Sequence, residues 1–207
     1  VLEVGMGGEW DSTNVADGDV AVFAPISLDH MDRLGNTIEE IAHTKAGIIK
    51  SGAFVVSSAQ PAEALAVLKD KASATADAFK SYGADFEVLE STPDILGQKV
   101  SIRTLAGEYA DLNLPVHGYY QAENAALAIA AVEAFLGGGE QRIMDDVVRA
   151  AFADFSSPGR LQVVSREPLV ILDAAHNPGG AESLVQALKT NFGSPYVVAV
   201  ISILADK

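Results

Sequence analysis

Three residues early in the chain sit where an ordinary fold would not place them: Glu3, His30 and Lys45. Lys45 shares one helical face with Ile38, Ile41 and Ala42, at spacings i, i+3, i+4 and i+7. An ammonium on an apolar stripe must snorkel, pair with an acid, lose its charge or be covalently changed. The plain structural alternative is a long cation near a helix C-terminus, which that end favours. Glu3 lies inside the apolar run Val1-Leu2-Glu3-Val4, where a carboxylate needs a partner such as a metal ion. Asp29-His30 follows a second apolar run, and a loop at a strand end is where α/β proteins keep their chemistry. A carboxylate and an imidazole brought together suit a divalent cation. Oxygen-rich surroundings favour Mg²⁺, with Zn²⁺ or Mn²⁺ as alternatives.

These residues need elements to hold them. Val1 to Val4 reads as a buried strand, followed by the loop Gly5-Met6-Gly7-Gly8. That loop lacks the Lys-Ser/Thr of a phosphate-cradling GxxxxGK[ST] pattern. Trp10-Asp11-Ser12 then forms a polar turn with one aromatic, either an ordinary Asx turn or the lip of a pocket for a flat ring. Asp19 to Ile26 is continuously apolar, as a buried parallel strand should be. Thr37 and Glu40 have capping-box spacing, so a helix starts at Ile38, and Gly47 ends it. Ala53 to Ser57 is a strand, Pro61 opens a helix with Leu65, Leu68 and Ala72 on one face, and Asp85 to Leu89 is a further strand. The alternation predicts a right-handed parallel α/β sheet.

The rhythm then changes. Lys99 to Leu105 and Glu108 to Leu114 read as an antiparallel hairpin, followed by helices over Gln121 to Leu136 and Ile143 to Phe155. Ser156-Ser157-Pro158-Gly159-Arg160 is turn chemistry and reads as a linker. After it come strands at Leu161 to Val164 and Leu169 to Leu172, the loop Asp173-Ala174-Ala175-His176-Asn177, a helix from Pro178 to about Asn191, and a strand from Tyr196 to Ile203. The reading is therefore two regions, 1–155 and 161–207, joined by 156–160, the second being the start of a Rossmann-like domain. Both ends read as cut within a longer protein, since no initiator Met precedes the first strand.

Composition narrows the function classes. A net charge of −14 argues against a general nucleic-acid or anionic-membrane surface, so anionic substrates would need local cations. The absence of cysteine removes disulfides and thiol chemistry and fits a cytoplasmic protein. No apolar run reaches transmembrane length.

The segments EVGMGGEWDSTN, SLDHMDRLG, KAGII, QAENAALA, PGR and DAAHNP occur in that order from one end of the chain to the other. Together they resemble the folylpolyglutamate synthase and dihydrofolate synthase family, within the Mur ligases. The resemblance implies part of a Mur-ligase-type P-loop ATPase domain with the P-loop upstream of Val1. It implies a monomeric enzyme that joins L-glutamate to folate or dihydropteroate through an acyl phosphate, using ATP and two Mg²⁺ ions. It further implies Glu3, His30 and a carbamylated Lys45 as metal ligands, with Lys45 and His176 catalytic. Asn124, Arg160 and Asp173 would bind ATP, Asn124 meeting the adenine base. Trp10, Asp11 and Ser12 would contact the pterin. Glu9, Thr44, Tyr120 and Ala174 depart from the family's commoner residues, and Glu9 adds negative charge near the expected substrate. Another Mur-type ligase for a cell-wall or polymer precursor, and a non-catalytic α/β interaction domain, are the alternative readings.

Overall fold

The computed structural model describes residues 1–193 and 196–202. It is a mixed α/β protein whose contacts divide it into two compact units. The first comprises Val1–Glu87, Thr104–Gly107 and Ala126–Arg142, and the second Val88–Arg103, Glu108–Ala125 and Ile143–Lys207.

In the first unit β1 (Val20–Phe23) leads through a short helix α1 (Met31–Leu34) to α2 (Ile38–Ala46). Then come β2 (Phe54–Ser57), α3 (Ala62–Thr75) and β3 (Ala78–Ser81). The three strands pair in parallel in the order β1-β2-β3, with Val20 opposite Phe54 and Phe54 opposite Ala78. Ile41, Ala42 and Ala46 of α2 and Ala64, Val67, Leu68 and Ala72 of α3 share one buried core with Ala21, Phe23 and Val55 of the sheet. Thr37 caps α2 by accepting the Glu40 N–H at 3.1 Å. Glu40 reaches back to the Asn36 N–H, at 2.6 Å, one residue before the one a capping box uses.

The second unit's sheet consists of β4 (Glu87–Asp94), β5 (Gly97–Arg103) and β6 (Glu108–Leu114), in that order. The β5–β6 pairing is antiparallel, as expected. Two helices follow, α4 (Tyr119–Gly137) and α5 (Asp145–Ala153). The antiparallel pair β7 (Gln162–Arg166) and β8 (Leu169–Leu172) and the helix α6 (Pro178–Phe192) complete the described elements. Among the described residues no helix is long and apolar enough to cross a membrane.

Four expectations need correction. Val1 to Val4 is not a strand, and Glu3 is exposed rather than held in an apolar ladder; among the described residues β1 is the outer strand of its sheet and no strand pairs with residues 1–4. The third parallel strand is Ala78–Ser81, half-buried throughout, so its sequence carries no apolar run. The segment read as Asp85 to Leu89 is instead the start of β4 in the antiparallel sheet. Residues 196–202 form no strand, and Ile203 lies outside the described residues.

Glu133 on α4 is fully buried. It accepts hydrogen bonds from Thr104 Oγ1 at 2.9 Å and from the Ala106 N–H at 3.1 Å, which ties the turn between β5 and β6 to the helix. Removing the carboxylate takes the acceptor from the part-buried Ala106 N–H and leaves the Thr104 hydroxyl with Gly107 O alone, at 3.0 Å. Glu133→Leu should therefore lower the unfolding free energy by roughly 1–3 kcal/mol, and Glu133→Gln, which keeps one acceptor, by less. Urea denaturation of the two variants measures that ranking; equal stability would show that the turn needs no such tie.

Candidate functional site

The carboxyl end of β1 and the C-terminal end of α2 enclose a cleft of about 220 Å³. Val4 to Gly7, Ser27, Asp29, His30, Leu34, Ile41 and Lys45 line it. Two of the residues singled out in the sequence, His30 and Lys45, therefore meet in one cavity. Glu3 and the Trp10–Ser12 turn are not part of its lining. Asp29 is, and its charge acts on Lys45. In the sequence Asp29 is marked only by its place one residue before His30.

Lys45 is half-buried. Burial pulls its ammonium below the ordinary lysine range, and the neighbouring Asp29 carboxylate pushes the other way. Lys45 lies on the α2 stripe beside the buried Ile41 and Ala42 and lines the cleft, so the residue is neither fully in water nor in the core.

His30 adopts a left-handed backbone, with φ 49° and ψ 41°. Residues other than Gly use this region sparingly, and His is, with Asn and Asp, among the types enriched in it. Three contacts fix His30 in it. Its N–H donates to Asp29 Oδ1 at 2.9 Å, and its carbonyl accepts from Arg33 and Leu34, each at 2.9 Å. Its Nε2 stands 3.9 Å from Asp29 Oδ2.

The glycine loop fits against the end of α2. The Glu9 N–H donates to Thr44 O at 2.9 Å. A Cβ on Gly47 would stand 2.6 Å from Glu9 Cα and 2.9 Å from its nitrogen, and one on Gly8 would stand 2.8 Å from Thr44 O and Lys45 O. The glycines are thus required by close approach of backbone to backbone.

Asp11 holds the same loop from the other side. Its Oδ2 accepts from the Met6 N–H at 2.9 Å, and its Oδ1 from the N–H and hydroxyl of Thr13, at 2.9 and 2.7 Å. These bonds, the Thr13 hydroxyl foremost, lower its carboxyl from 3.8 to about 2. Trp10 beside it is 85% exposed, and Ser12 is exposed. Lys50 Nζ donates to Asn14 O at 2.8 Å and Asn14 Nδ2 to Glu9 O at 3.0 Å, which completes the frame of the loop.

The remaining candidates, Asn124, Arg160, Asp173 and His176, all belong to the second unit. Asp173 spends both oxygens on backbone, accepting from Leu161 N at 2.7 Å and Ala175 N at 2.8 Å. It thereby pins the end of the 156–160 turn to the loop after β8. Burial raises the Tyr120 hydroxyl above its ordinary value; the Asp173 charge adds to this and Arg160 opposes it, so Arg160 and Asp173 both act at Tyr120. Asn124 Nδ2 is 3.4 Å from Gln121 Oε1, within its own helix. His176 is exposed, and its Nδ1 lies 2.9 Å from Ala174 O. Asn177 caps α6 by accepting the Gly180 N–H at 2.8 Å, with Pro178 at the first helical position.

Residues 1–132 match the Mur ligase middle domain, and residues 159–207 match the glutamate ligase domain of the Mur ligases. The dihydrofolate synthase/folylpolyglutamate synthase of Mycobacterium tuberculosis is 45% identical over 100% of this chain and 44% of its own length. The folylpolyglutamate synthase of Lacticaseibacillus casei is 38% identical over 100% of this chain and 48% of its own. The chain thus spans less than half the length of these relatives. Among solved structures, an FPGS–AMPPCP–folate complex superposes with a TM-score of 0.86 at 37% identity, covering 91% of this chain and 46% of that one. Folylpolyglutamate synthase of M. tuberculosis complexed with ADP gives 0.83 at 44% identity, covering 89% and 42%.

Two measurements check the site geometry. Gly47 has an ordinary helical φ of −60°, so Gly47→Ala adds only a steric clash. It should cost about 1–3 kcal/mol of stability, the usual range for overpacking, read from urea unfolding. The lowered Asp11 carboxyl stabilises the loop above its unfolded pKa of 3.8, and that contribution is lost as pH falls through about 2. Emission of Trp10, the chain's one tryptophan, should report this loss on acid titration, and Asp11→Asn should show the loosened-loop emission already at neutral pH. Identical spectra for the two proteins at pH 7 would refute the role given to Asp11.

Proposed function

This chain belongs to the Mur ligase family, and on that premise we propose that the protein is an ATP-dependent amide ligase joining L-glutamate to folate, and to dihydropteroate in a dihydrofolate synthase activity. The observation that carries this reading is the cleft that gathers Asp29, His30 and the half-buried Lys45, in a chain whose relatives are named for folate ligases. The FPGS complex with AMPPCP and folate supports an ATP-type nucleotide and a folate as ligands. Residues 1–155 would be the remainder of the ATP-binding domain, 156–160 the linker and 161–207 the start of the ligase domain. The separate matches of 1–132 and 159–207 support that division. Cytoplasmic location and a monomeric enzyme complete the proposal.

Ligation through an acyl phosphate requires charge on the transferring phosphoryl group to be neutralised where it develops. Mg²⁺ ions would supply that neutralisation when bound. The donors fit on one condition. Among the described residues no group of three His, Asp or Glu side chains gathers to hold a metal. Asp29 and His30 need a further oxygen donor in the cleft, and a carbamate on Lys45 is that donor. Its formation joins the Nζ lone pair to CO₂ and releases one proton, and burial favours the neutral amine that reacts. Glu3, two residues before the cleft-lining Gly5, is proposed as a ligand from the adjoining segment. In the second unit Asn124 is proposed to read the adenine edge, Arg160 and Asp173 to serve the nucleotide, and His176 to act beside the phosphoryl path. Trp10, with Ser12, offers a stacking lip for the pterin, and Asp11 fixes the shape of that lip.

The test is Lys45 in the full-length enzyme. Lys45→Ala should fold and lose at least about a hundredfold in turnover, the scale of removing one electrostatic stabiliser. Formate or acetate should partly restore it, and a ¹³C carbamate resonance seen with labelled CO₂ should vanish in the variant. Full turnover of Lys45→Ala at saturating ATP would overturn the carbamate.

A further inference from the structure

The path from β1 to the cleft is set by a residue outside the cleft. The last ladder bond between the first two strands runs from Ser58 N–H to Phe23 O, at 2.8 Å. Beyond it the chain leaves the sheet through Ala24, Pro25 and Ile26, and Pro25 has no N–H to offer. Ala24 O and Ile26 N–H would be left without a strand partner. Gln60 supplies both: its Oε1 accepts the Ile26 N–H at 2.9 Å, and its Nε2 donates to Ala24 O at 2.9 Å. One side-chain amide thus does the work of a peptide group on a neighbouring strand and extends the pairing past the end of the sheet.

The amide has one consistent orientation. Its Nε2 also donates to Ser57 Oγ at 3.2 Å, and that hydroxyl donates in turn to Ser58 O at 3.0 Å. Flipping Gln60 would set two acceptors against each other at Ala24 and two donors at Ile26. Ser57 is fully buried and Ile26 is 3% exposed, so the clamp is anchored in the core on both sides. Ser27, Asp29 and His30 follow within four residues of Ile26 and line the cleft. His30 holds a left-handed backbone, with its N–H on Asp29 and its carbonyl on Arg33 and Leu34.

We propose that Gln60 is a positioning residue for the Asp29-His30 limb of the cleft, acting through the clamp on Ala24 and Ile26. Its effect on turnover rests on the ligase reading; the clamp does not. The experiment uses Gln60→Met, which keeps the volume and loses the polar bonds, with Gln60→Glu, which keeps the acceptor for Ile26 and loses the donor. Hydrogen exchange of the full-length protein should show the Ile26 and His30 amides about tenfold faster in Gln60→Met, the scale of one lost hydrogen bond, with Val55 and Val56 unchanged. Gln60→Glu should fall between wild type and Gln60→Met. In the ligase assay kcat should fall about tenfold with the KM for ATP little changed, as for a group aligned only in the transition state. Unchanged exchange at Ile26 and His30 would overturn the clamp, and faster exchange with unchanged kcat would overturn its positioning role. A wild-type enzyme with no ligase activity would sink the ligase reading and leave the exchange result to decide the clamp.

Discussion

The candidate site depends on one close approach, the seating of the Gly5–Glu9 loop on the last turn of α2. The Glu9–Thr44 backbone bond and the two side-chain-free faces at Gly8 and Gly47 bring two stretches of main chain nearer than any Cβ would allow. The helix end that carries Lys45 is therefore walled by backbone on one side and by the strand-end loop bearing Asp29 and His30 on the other. Helix α2 cannot slide away from that wall, because Ile41 and Ala42 on the same stripe are wholly buried. The stripe that places Lys45 is the stripe that holds the helix, so stability and site geometry share their residues.

Much of this was legible in the sequence because it rests on local rules. The Thr37 cap, the α2 stripe, the β5–β6 hairpin and the Asn177-Pro178 start of α6 each follow from residues within one or two turns of one another. The misreadings have a common cause in non-local pairing. Ala78–Ser81 is a strand because β2 lies beside it, while its own residues are only half-buried and include a lysine. Glu87–Asp94 joins the antiparallel sheet because β5 pairs with it, although its start reads like one more parallel strand. Val1 to Val4 reads as a strand from composition and pairs with no strand among the described residues.

The same distinction runs through the site. His30 and Lys45 could be singled out because their types conflict with their local settings. Asp29 could not be given its role, since an aspartate in a loop conflicts with nothing until the fold brings it to Lys45. Gln60 was invisible for the same reason. Its partners lie 34 and 36 residues away, and its value is geometric.

Asp11 and Asp173 show how an acidic chain can present acids around an anionic ligand. Each turns its carboxylate onto backbone N–H groups, Asp11 on Met6 and Thr13 and Asp173 on Leu161 and Ala175. The negative charge is then held where it shapes a loop. In the cleft Asp29 likewise accepts a backbone N–H, that of His30, at 2.9 Å. Asp29 brings one negative charge there, and a carbamate on Lys45 would replace the only lysine or arginine of its lining with another. A phosphoryl group could not approach two carboxylate-type charges at a few ångströms without compensation, because like charges at that distance repel by several kcal/mol at the effective dielectric of a protein site, of order 20. The carbamate reading therefore carries an electrostatic requirement: once Lys45 is modified, positive charge must be brought to the cleft to make it attractive to an anion, and divalent cations would supply it.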